Sequence, residues 1–92
     1  MYLEIVTPEA SIVSGEVDLV TVPGMEGSFQ MMNNHAPIVS LLDAGVVRFK
    51  GNPTIAAGFE SKFTKVAEGE WSLQISGGTV EMNNNKIIVL AD

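Results

Sequence analysis

His35 is the only histidine in the chain and the first side chain to test for chemistry. It stands in Met32-Asn33-Asn34-His35-Ala36-Pro37. An imidazole can move protons or ligate a metal, but either role needs company. A metal site needs further His, Cys or carboxylate ligands converging on one point. A proton shuttle needs a reacting group within hydrogen-bond reach. The sequence has no cysteine and no Gly-x-Ser-x-Gly elbow, and no short-range cluster has ligand spacing. Pro23-Gly24-Met25-Glu26-Gly27 lacks the lysine and the following helix of a phosphate-binding loop. Glu68 and Glu70 could share a strand face, but beside a turn they read as a solvated edge. We therefore expect no catalytic residue, no metal and no cofactor. His35 reads as a loop residue whose ring hydrogen-bonds backbone just before a proline-fixed strand start.

The elements around these residues have a period of two. Trp71, Leu73 and Ile75 alternate with Ser72, Gln74 and Ser76. Val80 and Met82 alternate with Thr79, Glu81 and Asn83, and Val47 and Phe49 with Arg48 and Lys50. This is the pattern of strands with one wet face. Turn residues break the chain at Thr7-Pro8, Ser14-Gly15, Pro23-Gly24, Gly51-Asn52-Pro53, Gly69, Gly77-Gly78 and Asn83-Asn84-Asn85. Strands are expected near 2–6, 10–14, 17–23, 27–32, 37–42, 45–50, 70–76, 79–83 and 86–90. The Asn triplet suits a tight hairpin, since Asn tolerates positive φ. Phe59, Phe63 and Val66 have helical spacing, but Gly58 and the nearby Thr and Val favour an extended hairpin over 52–68.

Several strands are apolar in both phases. Val17, Leu19, Val20 and Val22 point both ways, as do Ile38, Val39, Leu41 and Leu42, and Ile87 to Leu90 is a continuous apolar run. Such strands are buried on both faces, or buried on one and covered by a partner on the other. Adjacent Met31 and Met32 must face opposite ways, so one is exposed or at an interface. Trp71 is expected to anchor the core.

Composition narrows the classes further. With 92 residues the chain makes one domain, 46% of it hydrophobic and only 17% charged, which is little polar cover for a small protein. Eleven acidic against five basic residues give a net charge of −6, which argues against nucleic acid and anionic lipid as partners. No apolar run is long enough to span a bilayer, and Met1-Tyr2-Leu3-Glu4 lacks the basic start of a signal peptide. The expectation is a soluble cytoplasmic protein without direct membrane insertion.

Read together, the motifs resemble one family. Leu3-Glu4-Ile5-Val6-Thr7-Pro8-Glu9 is similar to the opening strand of the epsilon subunits of F-type ATP synthase. So are Ser14-Gly15-Glu16-Val17-Asp18 leading into Val22-Pro23-Gly24, then Glu26-Gly27, His35-Ala36-Pro37, and Ser76-Gly77-Gly78-Thr79-Val80-Glu81 through Val89-Leu90-Ala91-Asp92. Each piece alone is weak; their order and spacing carry the resemblance. It implies an all-β fold, a two-sheet β-sandwich of ten short strands forming a single domain over 1–92; residues 52–68 depart from the family pattern and read as an insertion. It also implies a non-catalytic rotor subunit on the cytoplasmic side of the inner membrane, bound to the gamma subunit and the ring of c subunits and coupling proton flow to ATP synthesis. The ring-facing loop would comprise Glu26, Ser28, Gln30, Met32, Asn33, Asn34 and His35, with His35 bracing it. The gamma-facing strand would present Ile38, Ser40 and Leu42. Where the family loop carries a second carboxylate this sequence has Ser28, so a less electrostatic contact is expected. Relatives often continue beyond the final Leu-Ala-Asp into two helices, so an inhibitory helical arm is not expected here. A reading from a different class is a free-standing β-sandwich module that binds a small ligand or carbohydrate.

Overall fold

The computed structural model describes residues 1–92. It is all-β, with ten strands: β1 Tyr2–Val6, β2 Ser11–Gly24, β3 Gly27–Met32, β4 Ile38–Leu42, β5 Gly45–Gly51, β6 Thr54–Ile55, β7 Phe63–Ala67, β8 Glu70–Ile75, β9 Gly78–Asn83 and β10 Lys86–Ala91. The sheet folds back on itself into two layers through β2. The first half of β2 pairs with β1 and β6, and the second half with β3 and β5. Sheet I is therefore β6-β2-β1-β10-β9-β4, and sheet II is β3-β2-β5-β8-β7. The β1–β10 pair is parallel and every other pairing is antiparallel.

The strands expected at 10–14 and 17–23 are this one strand of 14 residues. Ser14-Gly15, read as a turn, lies inside it. A Cβ on Gly15 would come within 2.8 Å of the Pro53 Cα, so the glycine permits the Asn52-Pro53 bend to cross the strand at close range. Two bulges explain why β2 is apolar in both phases. Val6 pairs with Ser11 and Ile5 with Val13, leaving Ile12 as the extra residue, and both Ile12 and Val13 are buried. Val17 pairs with Gly51 and Leu19 with Lys50, leaving Asp18 extra. The bulge reverses the alternation, so Val17, Val20 and Val22 all point inward while Leu19 is half-exposed.

The core is a cluster of 20 buried apolar residues drawn from both sheets, with no buried polar side chain. Its aromatic centre is Phe49 against Phe63, edge to face with centroids 6.1 Å apart. Trp71, expected as the core anchor, is only half-buried, and Lys65 Nζ lies 5.8 Å from its ring centroid. Its cross-strand partners Phe49 and Lys65 show why: it sits on the row between the core and the sheet edge formed by β7. Met31 is fully buried and Met32 exposed, as the alternation required. Residues 52–68 do not make a hairpin of their own. β6 pairs with β2, a single 3-10 turn spans Glu60–Lys62, and β7 pairs with β8. The Asn triplet does form the expected tight hairpin: Asn84 and Asn85 have φ of 50° and 60°, the signature of a two-residue type I′ turn.

These placements make a stability contrast. Phe49→Ala should cost about 3–5 kcal/mol, the range for removing a fully buried aromatic side chain and a large share of a small domain's stability. Trp71→Ala should cost less than half as much because the indole keeps one face in water. Urea unfolding of both variants checks the order.

Candidate interaction surfaces

No three His, Asp or Glu side chains converge on a point that could hold a metal ion. His35 is exposed, its amide donates to Met32 O at 3.0 Å to close a turn, and its Nδ1 lies 2.7 Å from Ala36 O. The ring thus hydrogen-bonds backbone just before Pro37, as read from the sequence. A carbonyl only accepts, so this contact requires the tautomer with its proton on Nδ1.

The residues expected to form one ring-facing loop fall into three places. Glu26 lies in the Met25–Glu26 turn between β2 and β3. Ser28, Gln30 and Met32 are exposed on the outer face of β3, while Phe29 and Met31 turn inward. Asn33, Asn34 and His35 form the turn at the other end. The six residues of β3 at ~3.3 Å each hold Glu26 and Asn33 on the order of 20 Å apart. Glu26 and His35 therefore stand at opposite ends of the sandwich, because 27–32 is a regular strand and not loop.

The turn at Asn33–His35 is braced from a segment far away in sequence. Asn85 Oδ1 accepts from the Asn34 amide at 2.8 Å, and Asn85 Nδ2 donates to Asn33 Oδ1 at 3.1 Å. Asn33 Oδ1 also accepts from the Met1 amino group at 2.9 Å. Asn34 itself has φ of 62°. The third asparagine of the triplet thus turns its own hairpin and clamps a second turn. The triplet signals the hairpin in the sequence, but nothing local signals the clamp.

The strand expected to face gamma is placed with its phase reversed. Leu42 is buried and Ile38 packs against the core, so neither is available to a partner. Ser40 is half-buried on the same side, opposite buried Val80. The outward residues are Val39 and Leu41, 75% and 64% exposed. Pairing register continues their rows across sheet I: Leu41, Thr79, Leu90, Val6 in one and Val39, Glu81, Ile88, Glu4 in the next. Leu90 is 50% exposed and Ile88 half-buried. Met25, also exposed, adjoins this face through its amide, which donates to Leu41 O at 3.3 Å. Apolar side chains thus share this outer face with Thr79, Glu81 and Glu4, and an exposed apolar set of this kind is a candidate interaction site.

Fold and surface together define a β-sandwich domain with a partly apolar outer face on sheet I. The chain belongs to the family described as ATP synthase, Delta/Epsilon chain, beta-sandwich domain, whose profile matches residues 1–92. It is similar to the ATP synthase epsilon chain of Maridesulfovibrio salexigens, 40% identical over 93 residues that cover 100% of this chain and 54% of that protein. The epsilon chain of Dehalococcoides mccartyi is 37% identical over 90 residues, covering 98% and 54%. That of Chlorobium limicola is 38% identical over 90 residues, covering 98% and 86%. The chain thus spans about half the length of the first two relatives. Its fold also matches a chain in the cryo-EM structure of the Tetrahymena thermophila mitochondrial ATP synthase central stalk and c-ring, with a TM-score of 0.66 at 16% identity over 99% of this chain and 62% of that one. No helix here is long and apolar enough to cross a membrane.

The clamp yields a prediction with two arms. Asn85→Gly keeps the positive φ but deletes the side chain, so the Asn34 amide should lose hydrogen-exchange protection with a stability loss of about 1 kcal/mol or less. Asn85→Ala should expose the same amide and be less stable than the glycine variant by roughly 1–2 kcal/mol, because alanine keeps a Cβ in the left-handed region without the local hydrogen bonding that lets asparagine adopt it. Exchange rates read by NMR, together with thermal melts, check both.

Proposed function

We propose that this domain serves as a non-catalytic part of the rotating central stalk of an F-type ATP synthase, on the cytoplasmic side of the coupling membrane. In this reading it docks gamma through the outer face of sheet I and meets the c-subunit ring through one end of the sandwich, helping proton flow to drive ATP synthesis. The observation that carries the reading is the outward apolar set of Val39, Leu41 and Leu90, with half-buried Ile88, on two neighbouring rows of sheet I, in a chain whose family is that of the epsilon chains. Burying such a set contributes about 25 cal/mol per Å² of apolar surface, before the costs of association are subtracted. The gamma-facing residues on β4 become Val39 and Leu41 in place of Ile38, Ser40 and Leu42.

For the ring contact the geometry favours the Met25–Glu26 end. Its exposed methionine and carboxylate adjoin Leu41 on the proposed gamma face, so both partners could be held at once. Ser28 and Gln30 flank that tip along β3 and supply neutral hydrogen-bonding groups. The turn at Asn33–His35 lies at the other end. A free-standing carbohydrate-binding module would be expected to present a row of exposed aromatics, and here Tyr2 is the only exposed one.

Leu41→Glu would place an unpaired charge in the proposed gamma interface. It should weaken binding to purified gamma by roughly 100-fold, on the order of 3 kcal/mol, while leaving the isolated fold intact because the side chain points to water. Tight binding by a folded variant would remove this face from the assembly. The ring contact is checked by cysteine cross-linking in reconstituted vesicles. Cysteines at Glu26 or Ser28 should link to the polar loop of the c subunit, and a cysteine at His35 should not.

A further inference from the structure

The chain's cations are unevenly partnered. Lys62 reaches Glu9 at 3.5 Å and the Phe59 ring at 5.9 Å. Lys65 reaches Glu68 at 3.0 Å and the Trp71 ring at 5.8 Å, and Lys86 lies 5.4 Å from the Tyr2 ring. The other two basic residues, Arg48 and Lys50, have neither a carboxylate within 4.0 Å nor a ring, although the chain carries eleven acidic residues. Both are exposed and stand two positions apart on β5, so they project from the same outer face of sheet II, roughly 7 Å apart. They line an open cleft of about 520 Å³ with Thr21 and Ser28 hydroxyls, the half-exposed Leu19 and Val46, and one carboxylate, Glu70, opposite Lys50 in register.

We propose that this face docks an acidic, partly apolar polypeptide segment of a partner. The surface is separate from the apolar face of sheet I and does not depend on the assignment made for that face. Charge complementarity is the first argument: Arg48 and Lys50 outweigh Glu70 in the cleft, which makes it a locally positive site in a chain of net charge −6 that an acidic segment would neutralise. The second argument separates a polypeptide from a small phosphate. Phosphate cradles are built from free backbone N–H groups. Here β5 is hydrogen-bonded to β2 on one edge and β8 on the other, so the floor of the cleft has committed its amides to the sheet. What remains is a fork-shaped guanidinium, an ammonium with the Glu70 carboxylate across from it, two hydroxyls and apolar flanks, a net positive combination that matches carboxylates interleaved with aliphatic side chains. The spacing of the two cations also matches alternate side chains of an extended segment.

The test uses the whole 92-residue chain and a short fluorescein-labelled peptide in which glutamate alternates with leucine and serine. Anisotropy should report binding that weakens as salt rises. The double variant R48E/K50E should lose at least about tenfold in affinity, while the control K62E/K65E, equal in charge change, should stay within about twofold. Backbone amide shifts on titration should concentrate at Leu19, Thr21, Arg48 and Lys50. Equal weakening in both double variants would mean attraction by overall charge and would overturn the proposal. Inorganic triphosphate displacing the peptide at comparable concentration, with shifts at the same amides, would also overturn it, in favour of a small-anion site.

Discussion

The architecture depends on one strand serving two sheets. β2 runs for 14 residues, and its halves pair with different neighbours on both edges. A regular strand of that length would carry its inward side chains on one phase throughout. It would then present polar residues to one of the two halves of the core. The bulges at Ile12 and Asp18 remove this conflict by adding a residue where the strand changes company. Gly15 between them lets Asn52-Pro53 pass over at contact distance. Fixing β2 in this way sets the register of β1, β3, β5 and β6 at once, and through β1 and β5 that of β10 and β8.

That constraint also decides which apolar residues remain outside. A two-layer sandwich of this size has room for one phase of each strand, and the core takes 20 side chains, Phe49 and Phe63 among them. In β2 the second apolar phase is absorbed by the bulges. In β4 and β10 the pairing is regular, so no such device operates, and the second phase is left in water as Val39, Leu41 and Leu90. The same sequence feature, a strand apolar in both phases, thus has two structural causes. One is a local irregularity and the other an outer face suited to a partner.

Much of the fold was legible because alternation and turn chemistry are local. β5, β8, β9 and β10 were bounded to within a residue or two by Val47 and Phe49, Leu73 and Ile75, Val80 and Met82, and the Asn triplet. The merger of 10–14 with 17–23 was not legible, since Ser14-Gly15 serves a close approach by a residue far along the chain and only looks like a turn. Nor was the phase of β4: Ile38, Val39, Leu41 and Leu42 are symmetric in hydrophobicity, and only pairing with β9 shows which pair faces Val80 and Met82. The candidate loop from Glu26 to His35 failed as a unit for a similar reason. Its polar residues Ser28 and Gln30 are the wet phase of a strand whose dry phase is Phe29 and Met31.

The outer faces of the two sheets differ in a way that bears on how a small domain could join a larger assembly. Sheet I offers shape and apolar area, which yield affinity but little orientation. Sheet II offers two exposed cations rooted on a doubly hydrogen-bonded strand, which add little affinity in water but favour one orientation of a charged partner. The ends of the sandwich differ as well. One carries the exposed Met25–Glu26 tip; the other is tied by Asn85 to Asn33 and Asn34 and brings three residues to positive φ. Holding the braced end stiff costs conformational entropy that the hairpin has already spent, so the clamp adds rigidity with little further loss. Torque passing through a domain requires that its contact surfaces do not yield relative to one another. Here the tip and the apolar face are joined directly, Met25 to Leu41, and both stand on strands that converge at Gly24 and Leu42. In the rotor role proposed above, a load applied at the tip would reach the apolar face of sheet I through the backbone ladder and not through loops.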